Sequence, residues 1–516
     1  MLLFAEKAIF NLIKSGIFVE FTGRIILLNS KLIDILKTFS QEEIKKFSEF
    51  LISPFHNKNK KAVQLFEFLS AFHPEYENKN LTKEKIFEKI FSGKSKSSVY
   101  NDASVRNLLS DLMILAEKFT AYLNFENERF YFNERILRKL SLSKLTGVFE
   151  KRLKLTEDIF SGSEFHGEEE YYQKYILEEL KGSSSQFSDN LKLYKTDYSI
   201  RSLEYLTYYY LIKIFKSVNF IGYQKQFNID NTLNISEYLL GGININEVLE
   251  SVKIKSERDY LILSIYHKLY LSLKNPDNDD YYFKFKDIVT ANDQIFSELE
   301  KYGLYVSLTN NCVQKIDLGK DKFFKECFEI YKIMFRKNLL AIYPGYFPMT
   351  TFTAVIQTGL ASDETDTVEK FISDYSDKLN PAHRDDAVNY AYAQLSYYRK
   401  EFGKALEYIS KTDSEFSQFK YHLKTLSLKI FFETGDYDSL YYTSDSFIHF
   451  LGKNKLVSSN YKTEFGNFVK IIDLLVKFKL SPDDNTGLKI EEMLDKKPAA
   501  GKKWLREKYA EALNNR

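Results

Sequence analysis

Lys400-Glu401-Phe402-Gly403-Lys404-Ala405 and Gly435-Asp436-Tyr437-Asp438-Ser439-Leu440 decide how this chain is read. Each hexapeptide puts a turn in front of an aromatic residue that opens apolar, helix-period text. Phe402 and Tyr437 stand 35 residues apart, a spacing typical of a repeated two-helix hairpin. Residues 387–451 therefore read as two helical hairpins in tandem. A hairpin leaves one apolar face uncovered, and only a neighbouring hairpin can bury it, so such units must stack.

Working outward, bulk composition permits this. Hydrophobic residues make up 44% and charged residues 28%, enough to build a large core and to argue against wholesale disorder. Lysine and arginine total 73 against 71 acids, a net charge of +2 that exerts no general pull on nucleic acid or acidic lipid. Of eight prolines none lies between Pro74 and Pro276, which suits long helices. Cys312 and Cys327 are too few for a disulfide framework and read as reduced core thiols, which fits a cytoplasmic location. The 44 Phe and 37 Tyr read as a genome-wide compositional bias rather than as a ligand surface.

Residues 1–30 interrupt the pattern. Glu6, Lys7, Lys14, Glu20 and Arg24 break every apolar run short of the ~20 residues needed to span a bilayer, and no signal-peptide cleavage pattern follows. Residues 16–28 alternate like a strand. The segment reads as an extension, loosely docked or arising from an upstream start.

Residues 31–124 predict an N-terminal bundle of about five helices. Ser40 before Gln41-Glu42-Glu43 is an N-cap with acids in the first turn. Asn57 is expected to open a third helix and Thr82 a fourth. Leu108, Leu112, Leu115, Phe119 and Leu123 stripe a long fifth one. Residues 125–198 read as connecting helices, with breaks expected at 161–163 and, more strongly, at 182–185. Residues 199–480 predict the hairpin array. One helix is expected over 205–215, with a partner over 221–240, then turns near Pro276, Gly319, Ser362, Lys400 and Gly435. Residues 481–516 are expected to break at Ser481-Pro482 and end in a capping helix over 503–513 that carries Trp504. The predicted fold is all-α: an N-terminal helical bundle followed by an α-hairpin solenoid.

The hairpins at 386–452 resemble the tetratricopeptide repeat. Ala393, Phe402 and Ala405 match its small, aromatic and small positions, and Gly435 and Tyr437 keep its turn and aromatic. Leu428 and Leu440 stand where it has small residues. The chain is also similar to bacterial helical-repeat proteins that pair an N-terminal helical module with such an array. The resemblance implies that the first helix of each hairpin lines a peptide-binding groove, here Tyr390, Gln394, Tyr397 and Tyr398, then His422, Lys429, Phe432 and Glu433. The family's two-carboxylate clamp needs Lys and Asn where this chain has Tyr390 and Gln394, which speaks against chaperone-tail binding. The alternative is that these tyrosines form core between repeats.

Motifs that carry chemistry are missing. The seven histidines show neither H-x-x-x-H nor H-E-x-x-H spacing, and the cysteines form no C-x-x-C pair, so no metal or cofactor is expected. Gly93-Lys94-Ser95 lacks the upstream glycine of a phosphate-binding loop, since Glu88 stands there. Asn101, Asp102, Ser104 and Asn107 could face bases, but Asp102 and Asp111 would repel phosphate, and nucleic acid is not the expected partner. The expectation is a non-enzymatic scaffold for a protein or peptide. The alternative is a peptide-sensing regulator whose N-terminal module binds nucleic acid or a second protein.

Overall fold

The computed structural model describes residues 31–78, 80–91, 100–143, 145–162, 164–184, 194–226, 235–342, 345–412, 417–453 and 459–514. Among them it has twenty-four α-helices and no strand, so the fold is all-α. The expectations for residues 1–30 and for the Ser/Lys loop at 93–98 lie outside the described residues.

Described residues up to 162, together with 176–202, form one compact unit. Its first five helices are α1 Lys31–Lys37, α2 Gln41–Ile52, α3 Lys60–Ser70, α4 Lys83–Phe91 and α5 Asp102–Asn127. The cap of α2 is a reciprocal box. Ser40 Oγ accepts the Glu43 amide at 3.2 Å, and Glu43 Oε2 accepts the Ser40 amide at 2.7 Å. Thr82 caps α4 as expected. Asn57 does not open α3. Its amide reaches back to Leu51 O, and Asn59 takes the cap position two residues later. The α5 stripe buries Leu108, Leu112, Leu115 and Phe119 against a ring cluster of Phe39, Phe47 and Phe66. Helices α6 Arg129–Leu142 and α7 Thr146–Glu157 pair as a hairpin, with Glu134 buried beneath Arg138.

Helix α8 spans Glu169–Ser184, so it ends within the break expected at 182–185, with Gly182 still in its last turn; Ser185 lies outside the described residues. Helix α9 spans Tyr194–Gln226, so residues 221–226 extend the helix they were expected to face. Apolar text continues past Phe215 through Phe220, Ile221 and Tyr223, and the single Gly222 costs a helix only about 1 kcal/mol.

The second unit comprises 163–175 and 203–516. Its remaining helices are α10 Ile235–Gly241, α11 Ile245–Lys255, α12 Glu257–Lys274, α13 Asp279–Asn292, α14 Glu298–Asp317, α15 Lys322–Arg336, α16 Met349–Leu360, α17 Thr365–Tyr375, α18 Arg384–Tyr398, α19 Phe402–Lys411, α20 Ser417–Thr434, α21 Tyr437–Lys453, α22 Ser459–Leu480, α23 Asp484–Lys496 and α24 Lys502–Asn514. From α11 onward each packs on its chain neighbour, and α12 on α14, α16 on α18, α18 on α20 and α20 on α22 also meet. This is the packing of stacked hairpins. Helix α23 has no counterpart in the sequence expectation; Asp483 caps it directly after the predicted break.

The turns after α14, α16, α18 and α20 share one motif. Their left-handed residues are Gly319, Asp363, Lys400 and Gly435, with φ of 83°, 60°, 61° and 74°. In each, the next residue's amide reaches five positions back, as in Glu401 N to Ser396 O (2.8 Å) and Asp436 N to Phe431 O (3.0 Å). These are Schellman caps, which satisfy the helix's last carbonyls while turning the chain.

Residues 164–168 dock on the array. Phe165 N donates to Ile295 O (2.7 Å), and Phe165 O accepts from Ser297 N (3.0 Å). The Phe165 ring is fully buried among Tyr171, Tyr266 and Phe296. Glu168 accepts from Lys213 at 2.8 Å and Lys216 at 2.5 Å, which hold its carboxyl down to about 2 although burial opposes them. Cys312 and Cys327 are free, buried thiols.

Candidate functional site

The residues singled out from sequence lie on α18 and α20, first helices of successive hairpins. Helix α18 packs on α20, α20 on α22 and α22 on α24. Both α18 and α20 are apolar on nearly every side. Ala387, Tyr390, Ala391, Ala393 and Leu395 are buried on α18, and Leu423, Leu426, Leu428, Ile430 and Phe432 on α20. Such helices sit between neighbours, and their few polar groups mark the side left open.

Tyr390 and Phe432 do not line an open groove. Tyr390 is fully buried and Phe432 is 3% exposed, so both belong to the core, as the alternative reading of the tyrosines has it. The Tyr390 hydroxyl accepts from Gln357 Nε2 on α16 at 3.2 Å and from Gln394 Nε2 at 3.1 Å, and burial pushes its pKa up to about 12. The other six candidates reach solvent to some degree. Tyr398 is 42% exposed, and Gln394, Tyr397, His422, Lys429 and Glu433 are part-buried.

His422 lies between Tyr390, 6.3 Å away between centroids, and Phe465 of α22, at 5.9 Å. Burial first, and the nearby Lys429 charge second, pull its pKa down to about 4. Lys429 stands two turns further along the same face. Its pKa is pulled down to about 8 by burial, with Glu507 and Glu433 opposing the shift. Neither His422 nor Lys429 makes a hydrogen bond or ion pair among the described residues.

The sequence reading missed what α24 contributes. Trp504 Nε1 donates to Glu433 Oε1 at 3.1 Å, and Lys508 Nζ pairs with the same oxygen at 2.9 Å. The Trp504 ring meets Phe432 edge-on at 5.4 Å, and Lys429 Nζ lies 5.4 Å from its centroid. The closing helix had been expected to act only as a polar cap. That Trp504 is the chain's sole tryptophan was the one available signal. Six of the eight candidates, all but Tyr397 and Tyr398, thus fall into two groups together with Gln357, Trp504 and Lys508. Gln357, Tyr390, Gln394 and His422 form one, and Lys429, Phe432, Glu433, Trp504 and Lys508 the other.

Two of the residues considered for nucleic acid, Asn101 and Asp102, are used internally. Asn101 Oδ1 caps α5 through Ser104 N, and Asp102 accepts from Lys83, Tyr100 and Arg106. Among the described residues no helix is long and apolar enough to cross a membrane, and no group of three or more His, Cys, Asp or Glu is placed to hold a metal. No family model matches the chain, and neither the curated proteins nor the solved structures contain a match to it.

Proposed function

We propose that this chain is a non-enzymatic scaffold of the tetratricopeptide-like kind, binding a protein or peptide on the open side of α18, α20 and α24, in a reducing cytoplasm. One observation carries the reading. His422 and Lys429 lie part-buried on one helix face beside aromatic rings, and neither has a hydrogen bond or ion pair among the described residues. Desolvating a titratable group without a partner costs stability, and such costs cluster where a ligand supplies the missing contact. Aromatic side chains beside a few polar groups suit peptide recognition, and an array already ordered loses little entropy on binding.

The test is affinity capture from the host cytoplasm with wild type and with Gln394→Ala/Tyr398→Ala/His422→Ala. These substitutions spare Tyr390 and Phe432, and circular dichroism checks that the variant is folded. A partner captured by wild type and lost from the folded variant is the expected result. An unchanged set of partners would remove this face from consideration.

A further inference from the structure

We propose that Lys429 receives a carboxylate of the partner, so that the scaffold's ligand is an acidic peptide segment whose charge sits between α20 and Trp504 of α24. The proposal rests on the scaffold reading above and specifies the chemistry of that site.

The argument begins with a missing ion pair. Lys429 and Glu433 are four residues apart on α20, a spacing at which opposite charges on a helix meet. They do not pair here. Glu433 is held instead by two donors of α24, Trp504 Nε1 at 3.1 Å and Lys508 Nζ at 2.9 Å. The acid nearest in sequence is therefore spent on fixing α24. The Lys429 ammonium is left facing the Trp504 ring at 5.4 Å, a contact that steadies a cation without neutralising it. An ammonium donates three hydrogen bonds and here has none among the described residues.

The surroundings favour a carboxylate over a neutral group. His422 stays uncharged near neutral pH, so it presents no competing cation to an incoming acid. Glu507 lies on α24 one turn beyond Trp504 and is exposed; it influences Lys429 electrostatically but makes no ion pair with it. Glu507 is thus the internal competitor for the same ammonium. Lys508, beside Glu433, is committed to that acid and to Glu511, and Lys479 lies 5.1 Å over the Phe432 ring. The Trp504 ring beside Lys429 fits a peptide with an apolar residue next to its acid.

Trp504 is the only tryptophan in the chain, so its fluorescence reports this site directly. The full-length protein would be titrated with three tripeptides. Acetyl-Phe-Glu-Phe-amide carries a side-chain carboxylate, acetyl-Phe-Gln-Phe carries a terminal one, and acetyl-Phe-Gln-Phe-amide carries none. We expect a saturable Trp504 response to at least one acid, about tenfold tighter than to the uncharged peptide, as a charge-assisted hydrogen bond implies. Whichever acid binds more tightly identifies the source of the carboxylate. Lys429→Met should abolish the preference, Lys429→Arg should retain much of it, and Glu507→Gln should tighten binding by removing the competitor.

Equal binding of charged and uncharged peptides, no response to either acid, or an acid preference that survives in folded Lys429→Met would overturn the proposal. Failure here is separable from failure of the scaffold reading. A partner whose capture needs Gln394, Tyr398 and His422 but ignores Lys429→Met leaves the scaffold standing and removes the carboxylate.

Discussion

Lys429 shows how one desolvated cation can cost a fold stability. Its folded pKa, about 8, lies below the unfolded lysine value of about 10.5, so the folded state binds fewer protons between these limits. Stability attributable to this residue therefore rises as pH climbs from 8 to 10.5, and at pH 7 the full charging cost is present. Lys429→Met should stabilise the protein at pH 7 by about 1–2 kcal/mol, after discounting for partial exposure. Urea midpoints followed by Trp504 fluorescence check this, and the advantage should shrink as the pH approaches 10. A less stable Lys429→Met would mean that the ammonium is paired. His422 acts on the acid side. Its folded pKa of about 4 lies below the ordinary 6.5, so the unfolded chain takes up the proton first as pH falls. Stability is lost between pH 6.5 and 4. His422→Gln should remove about 1–2 kcal/mol of that loss, seen as a shallower decline of the urea midpoint between pH 7 and 4.5.

At the scale of elements, the array depends on close approach at a few points. Gly359 on α16 is the clearest. A Cβ there would stand 2.4 Å from Val368 Cγ2 on α17 and 2.7 Å from Phe328 Cε2 on α15, and both neighbours are buried. Neither a β-branched side chain nor a packed ring can step aside cheaply. Gly359→Ala should cost about 1–3 kcal/mol through overpacking, despite the better helix propensity of alanine. A lowered melting temperature with unchanged helix content at 20 °C would show it. An unchanged or raised melting temperature would mean that the three helices can separate at no cost. The hairpin turns were legible to different degrees for a related reason. Gly319 and Gly435 announce themselves, because glycine enters the left-handed region freely. Asp363 and Lys400 adopt the same conformation without that signature, and their turns were read from the text around them rather than from a glycine at the left-handed position.

At the scale of the whole molecule, contacts distant in sequence shape the second unit. The Phe165 ring, more than a hundred residues from Phe296 in sequence, is enclosed beside it, and its backbone bridges to Ile295 and Ser297. Phe165→Ala should cost about 3–5 kcal/mol, the usual penalty for emptying an enclosed aromatic site. The urea transition of Trp504 fluorescence should shift to lower concentration. An unmoved transition would show that residues 164–168 are not part of the unit that carries Trp504. By itself the sequence determined the all-α class, the N-cap at Ser40 and the positions of the later hairpin turns. These follow from periodicity, caps and spacing, which are local properties of the chain. It could not determine which sides of α18 and α20 stay open, because helices enclosed by neighbours are apolar almost all round and periodicity marks no single face. Tertiary structure alone decided that Tyr390 and Phe432 are core. It alone decided that residues 164–168 dock beside Phe296. It alone decided that α24 takes Glu433 and that Lys429 has no ion pair among the described residues, since burial and charge pairing depend on which distant segments meet.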